Sequence, residues 1–256
     1  MAVLALLCLL GCGQEHRDTE DIQIARDAYT SGHFTEAERI YERYLQERPK
    51  GRYRWEAWSR LLDIARNVLD DREKAATLLD AMVLEYADDS RRSWDLLSQL
   101  AEVHEGLRRW DDAIEAWQRC LNLPNLDEAH IPVIHLRLAC IYQRLHEYDL
   151  AQDALNTCAE KARDPQIKGQ CLYVLAQTLG YTERLEDAKQ VLRQLVELQG
   201  LDSERKALGV FLLADACEQQ GQVAEAKRLF TSILNTYPNP KVVQTRLDFL
   251  EKSGKK

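Results

Sequence analysis

No apolar run in this sequence is long enough to cross a bilayer as a helix, which takes about 20 residues; the longest is the stretch 2–10. There is no basic surplus. The formal net charge is −8, with no basic stripe, so nucleic acid is excluded as a partner. The one basic cluster, Lys252, Lys255 and Lys256, gives the last helix a favourable C-terminal end. No C-x2-C pair occurs, which removes structural zinc. H-E-x-x-H, G-x-S-x-G, the P-loop and G-x-G-x-x-G are also absent. His130 and His135 are five apart, a spacing that does not put two imidazoles on one helical face. The six histidines read as turn or junction residues on a solvated surface. Acidic residues such as Glu36, Asp112, Asp187 and Glu225 fall in first helical turns, where a carboxylate favours the helix dipole. The expectation is a protein that is not an enzyme, with no cofactor, no metal and no small-molecule substrate.

What the sequence does contain is a period. Ala37, Ala75, Ala113, Ala151, Ala188 and Ala226 recur every 38 residues, once every 37. An aromatic or aliphatic residue lies four after each (Tyr41, Leu79, Trp117, Leu155, Leu192, Phe230). Seven after come Tyr44, Met82, Cys120, Cys158, Leu195 and Ile233. These offsets mark one face of an α-helix, helix B of the unit. Upstream pairs such as Leu100-Ala101, Leu138-Ala139 and Leu213-Ala214 mark a helix A with its own small residue, so the two helices approach closely. In the second unit the register fits Leu62-Asp63, or Leu61-Leu62 if its turn is one residue longer. Short polar turns (Gly32-His33, Arg108-Arg109, His146-Glu147, Gly221-Gln222) make A and B antiparallel neighbours. Pro49, Pro124, Pro165, Pro238 and Pro240 fall in looser junctions between units. Units of this length stack on copies of themselves.

The unit resembles the tetratricopeptide repeat (TPR). The residues that carry the resemblance are Leu138-Ala139-Cys140-Ile141-Tyr142, Ala226 to Phe230 with Pro238, and Ala37 to Tyr41 with Pro49. HEAT-type pairs are the alternative. The resemblance implies an all-α, right-handed solenoid of six helix hairpins over residues 21–240. Val243, Leu247 and Leu250 mark a capping helix within 241–256. The period exceeds the usual 34 or so, and the surplus is expected in the junctions. Glu47 to Tyr53 and Asn235 to Pro240 look like the junctions of envelope TPR families, among them the barrel-assembly lipoprotein and the Tol-Pal coordinator.

The apolar residues 2–10 have the length of a signal h-region and end in Leu9-Leu10-Gly11-Cys12 before a polar stretch. This resembles a bacterial lipobox, with residues 1–11 as signal, Cys12 as lipidation site and 12–20 as tether. A basic n-region is lacking, which puts the expected start upstream of Met1; a greasy cap for the first unit is the other reading. Gly13 in place of aspartate implies the outer membrane. Five cysteines remain, either as buried free thiols or with Cys158 and Cys171 paired, which an oxidising periplasm permits.

Family geometry places a partner groove on helix A, 15, 11 and 8 residues before the alanine. The groove candidates are Ile22, Arg26, Tyr29, Leu136, Gln143, Tyr173, Gln177, Phe211 and Asp215. Leu136, Tyr173 and Phe211 form an apolar row that is either exposed for a peptide or amphipathic helix or packed on neighbouring helices. The expected role is a non-catalytic scaffold binding a protein partner, lipid-anchored at the periplasmic face of the outer membrane. A pilotin-type lipoprotein, and a groove-based enzyme or receptor, are the alternatives.

Overall fold

The computed structural model describes residues 19–253. Cys12 and the signal-like stretch lie outside them. Among the described residues there are thirteen α-helices and no strand. They run α1 (residues 19–30), α2 (Phe34–Glu47), α3 (Arg54–Asp63), α4 (Arg72–Glu85), α5 (Ser90–Gly106) and α6 (Trp110–Leu121). Then follow α7 (His130–Arg144), α8 (Tyr148–Lys161), α9 (Pro165–Tyr181), α10 (Leu185–Glu197), α11 (Ser203–Gln219), α12 (Val223–Ile233) and α13 (Pro240–Ser253). The all-α hairpin architecture expected from the period is what the chain adopts. The helices gather into two compact units, one ending at Leu123 and one beginning at Pro124. The first holds hairpins α1–α2, α3–α4 and α5–α6. The second holds α7–α8, α9–α10, α11–α12 and the added α13.

The repeat alanines are wholly enclosed or nearly so, as are the residues four and seven positions later. That explains the choice of alanine: a larger side chain would push helix A away from helix B. Each A-to-B turn has one build. Five residues before every alanine the backbone is left-handed: Gly32, Asp70, Arg108, His146, Glu183 and Gly221 all have positive φ. The next amide reaches back to close helix A, as from His33 to Ala28, Arg109 to His104 and Gln222 to Cys217. This is a Schellman closure, and it satisfies carbonyls that the helix end would leave bare.

Hairpin two shows where its additional residue went. Its turn is no longer than the others. Instead α3 continues through a π turn, Ile64–Val68, with Leu69 N–H bonded to Ile64 O at 3.0 Å. The closing bond then runs from Asp71 to Ala65, one residue further back than elsewhere. Leu61 and Leu62 are the buried pair, and the longer-turn explanation is corrected to an insertion inside the helix.

The surplus over the usual repeat is not confined to the junctions either. Helices α5, α9 and α11 each have 17 residues and start from aspartate caps. Asp89, Asp164 and Asp202 accept first-turn amides. Pro165 and Pro240 open helices rather than occupying loops, because proline lacks only a donor that the first turn leaves unused.

The sulfurs of Cys158 on α8 and Cys171 on α9 are joined as a disulfide, with Cα atoms 5.9 Å apart. Of the two readings of these cysteines the paired one holds, because antiparallel packing of α8 on α9 brings both buried positions together. Cys120 and Cys217 remain buried free thiols, and Cys140 is partly exposed. Burial pushes the Cys120 thiol up to about 12. His104 is buried on α5, not on the solvated surface as its sequence context implied, and burial lowers the pKa of His135. Lys189 is 2% exposed; its ammonium donates to Glu186 on its own helix and to Gln220 and Gln222 in the next turn. It ties α10 to hairpin α11–α12.

Candidate partner-binding groove

Consecutive A helices lie side by side in each unit, and their polar residues form rungs between them. Arg26 grips Glu56 with two bonds of 2.6 Å from α1 to α3. The Tyr29 hydroxyl donates to Asp63, and Arg60 lies 4.5 Å over the Tyr29 ring. This hydroxyl, with the Asn67 amide, holds the Asp63 carboxyl below the usual range, while Asp63 raises the Tyr29 pKa. Arg66 donates to Gln99 at 2.7 Å between the π turn and α5. In the second unit Gln143 donates to the Thr178 hydroxyl at 2.7 Å, and Arg246 on α13 pairs with Asp215 and Glu218 on α11. Charge-assisted bonds of this kind are the stronger class.

The nine groove candidates therefore divide. Ile22 is fully buried and Leu136 is 8% exposed. Both belong to the core, a correction to their assignment as partner contacts. Leu136, in the second turn of α7, packs in one cluster with Ala151 and Leu155 of α8 and Leu175 and Leu179 of α9. Arg26, Tyr29, Gln143 and Asp215 face the A-helix side and are held in rungs. Phe211 is stacked on Tyr237 at 4.7 Å and meets Phe230 edge-on at 5.3 Å. Tyr173 packs against the cluster of Leu172, Leu195 and Leu201, and burial raises its pKa. Packing on neighbouring helices buries Leu136, whereas Tyr173 and Phe211 pack on neighbours and stay partly exposed. Gln177 lines an open cleft without a rung, and Tyr173 borders a smaller one of ≈ 190 Å³ with Gln170, Arg205 and Leu208.

The Gln177 cleft, ≈ 320 Å³, lies between α9 and α11 over α10. Buried Ala176, Ala188, Leu192 and Ala216 make its floor, Tyr181 and Leu212 its walls, and Gln177, Asp215 and Gln219 its polar rim. Tyr181 is exposed and meets Tyr148 at 5.8 Å. In the first unit two adjoining depressions of ≈ 400 and ≈ 340 Å³ run between α3 and α5, and both include Arg66 and Asn67. Trp55, Leu62 and Gln99 line the first, Glu102 and Gly106 the second. The stripe marked by family spacing runs along these openings: Gln177 and Asp215, each eleven before its alanine, line the second unit's cleft, and Glu102, eleven before Ala113, lines a depression of the first. Ala216 and Gln219, ten and seven before Ala226, line the same cleft beside Asp215.

Among the described residues no three histidine, cysteine, aspartate or glutamate side chains converge as a metal site, and no helix is long and apolar enough to cross a membrane. No curated protein matches the sequence. Tetratricopeptide repeat family models match residues 96–129 and 173–239. Among solved structures, BtubC (BKLC) from P. vanneervenii is similar at 18% identity and a TM-score of 0.56, over 89% of this chain and 93% of that one. PilF of Pseudomonas aeruginosa is similar at 12% identity and 0.53, over 91% and 99%. YrrB, described as a TPR protein with an unusual peptide-binding site, is similar at 16% identity and 0.51, over 71% and 86%. At these identities the likeness concerns the fold. Residues 96–129 and 173–239 carry tetratricopeptide repeats, set among hairpins of the same build.

Proposed function

We propose that this protein is a lipid-anchored scaffold that holds a protein partner at the periplasmic face of the bacterial outer membrane. The observation that carries the scaffold role is the set of open clefts between successive A helices, each with an apolar floor and a polar rim. Such clefts suit a peptide segment that brings apolar side chains and hydrogen-bonding backbone together. YrrB, of similar fold, is described as having a peptide-binding site. The anchor reading is supported by Leu9-Leu10-Gly11-Cys12 after an apolar run and before a polar one. Acyl chains on Cys12 would hold the protein to a membrane without a spanning helix, at about 0.8 kcal/mol per buried CH2. The Cys158–Cys171 bond favours the same side of the inner membrane, since disulfides persist in oxidising compartments. The same arrangement would serve a pilotin-type lipoprotein, and the identity of the captured partner separates the two.

Changing Cys12 to Ala is expected to abolish fatty-acid labelling and move the protein from the membrane fraction to the soluble one. Membrane retention without the label would overturn the anchor. In envelope extracts, Gln177→Arg with Gln219→Arg should reduce co-purification of the partner while far-ultraviolet circular dichroism is unchanged. A partner captured equally by both forms places its contacts off this cleft.

A further inference from the structure

Hairpin two differs from the other five in a way that its fold does not require. All six A-to-B turns share one length and one left-handed position. An additional residue could have been absorbed in a junction, where length varies freely. It lies instead inside α3, in the π turn Ile64–Val68, on the helix that lines the first unit's groove. A π turn gives up hydrogen-bond regularity and is found frequently at functional sites. Its two groove-facing residues, Arg66 and Asn67, are exposed, and both depressions between α3 and α5 include them.

The second observation is the charge at that point. Arg26 is neutralised by Glu56, and Arg246 by Asp215 and Glu218. Arg66 makes its bond to the neutral amide oxygen of Gln99, and among the described residues no carboxylate pairs with it. The nearby Asp63 is already engaged, accepting from Tyr29 and Asn67. Asp63 lines the near depression, and Asp70 and Glu102 line the far one beside Arg72, so a uniformly anionic ligand would be repelled. A carboxylate delivered to Arg66 alone would not be.

We infer that the π turn sets the partner specificity of the first unit: its groove takes an extended segment that places one aspartate or glutamate side chain on Arg66, with an apolar neighbour against Trp55 and Leu62. This rests on the scaffold reading. The groove from Trp55 to Asn67 runs about 18 Å along α3, room for roughly six extended residues. A planar guanidinium with free donors matches a carboxylate in two parallel bonds.

The test uses the full chain and short fluorescent peptides of equal apolar content, with Glu, Gln or Lys at one position, read by fluorescence anisotropy. The Glu peptides should bind best. Arg66→Glu should weaken them about tenfold or more and Arg66→Lys less, because lysine keeps the charge and loses the fork. Deleting Asn67 should restore a regular helix, leave the melting temperature unchanged or higher, and remove the preference for Glu over Gln. Equal binding of the Glu, Gln and Lys peptides, or unchanged Glu binding by Arg66→Glu, overturns the assignment to Arg66. A Glu preference that survives deletion of Asn67 overturns the role of the π turn. If the peptides show no preference while envelope partners still co-purify with wild type and Arg66→Glu alike, the scaffold reading stands and this one falls.

Discussion

Four of the six left-handed turn positions are occupied by residues with a Cβ: Asp70, Arg108, His146 and Glu183. A side chain there crowds the following carbonyl, at a cost of about 1 kcal/mol or somewhat more. Arg108→Gly and Glu183→Gly should therefore each stabilise the chain by about 0.5–1 kcal/mol, seen as a higher urea midpoint. The converse is a clean measurement. A Cβ added at Gly221 would meet nothing within 4 Å, so Gly221→Ala tests backbone strain alone and should cost about 1 kcal/mol. Equal midpoints for wild type and Gly221→Ala would show that this turn relaxes out of the left-handed region. Arg108 and His146 were legible as turn residues too, but only at Gly32 and Gly221 does the residue type itself favour the left-handed region. At the other four the tertiary fit of A on B holds a residue where its own preference would not.

At the scale of elements, what joins one hairpin to the next is more specific than apolar contact. In the first unit Arg54 on α3 binds Glu85 at the end of α4, reinforced by the Trp58 indole N–H at 2.8 Å. The arginine holds the Glu85 carboxyl below its ordinary range. In the second unit Lys189 and the Cys158–Cys171 bond do comparable work. The disulfide closes a short loop, with the two cysteines 13 apart in sequence. The chain-entropy estimate for such a loop is about 3 kcal/mol. Reduction, or Cys158→Ala with Cys171→Ala, should lower the melting temperature clearly and loosen α8 and α9 first. Hydrogen exchange of α8 and α9 amides reads this directly; equal protection in reduced and oxidised protein would mean the bond adds nothing to packing already complete. The sequence offered this pair only as one of two readings, because spacing along two helices does not fix which faces meet.

For the whole molecule, pH dependence has a definite sign on each side of neutrality. Asp63 and Glu85 have depressed pKa values in the folded chain, Asp63 chiefly through the Tyr29 hydroxyl and Glu85 through Arg54. Their contribution is complete above the unfolded carboxylate range of about 4 and is lost as pH falls through the folded values. Tyr86, half-buried beside Glu85, is raised to about 12, as is Cys120. Their contribution is complete below the unfolded values of about 10 and 8.5 and is lost as pH rises toward 12. Urea midpoints should be flat near neutrality and fall on both sides, with Glu85→Gln showing a shallower acid slope than wild type. Identical acid slopes would remove Glu85 from the account. The period, the buried alanine face, the six hairpins and the capping helix were all legible in the chain, because burial of a helical stripe is a local consequence of spacing. The burial of Ile22 and Leu136, the π turn that takes the extra residue, the disulfide and the pairing of Arg26, Tyr29 and Asp215 were decided by tertiary structure. Each depends on the rotation of one helix A against the next, which no single helix's periodicity contains.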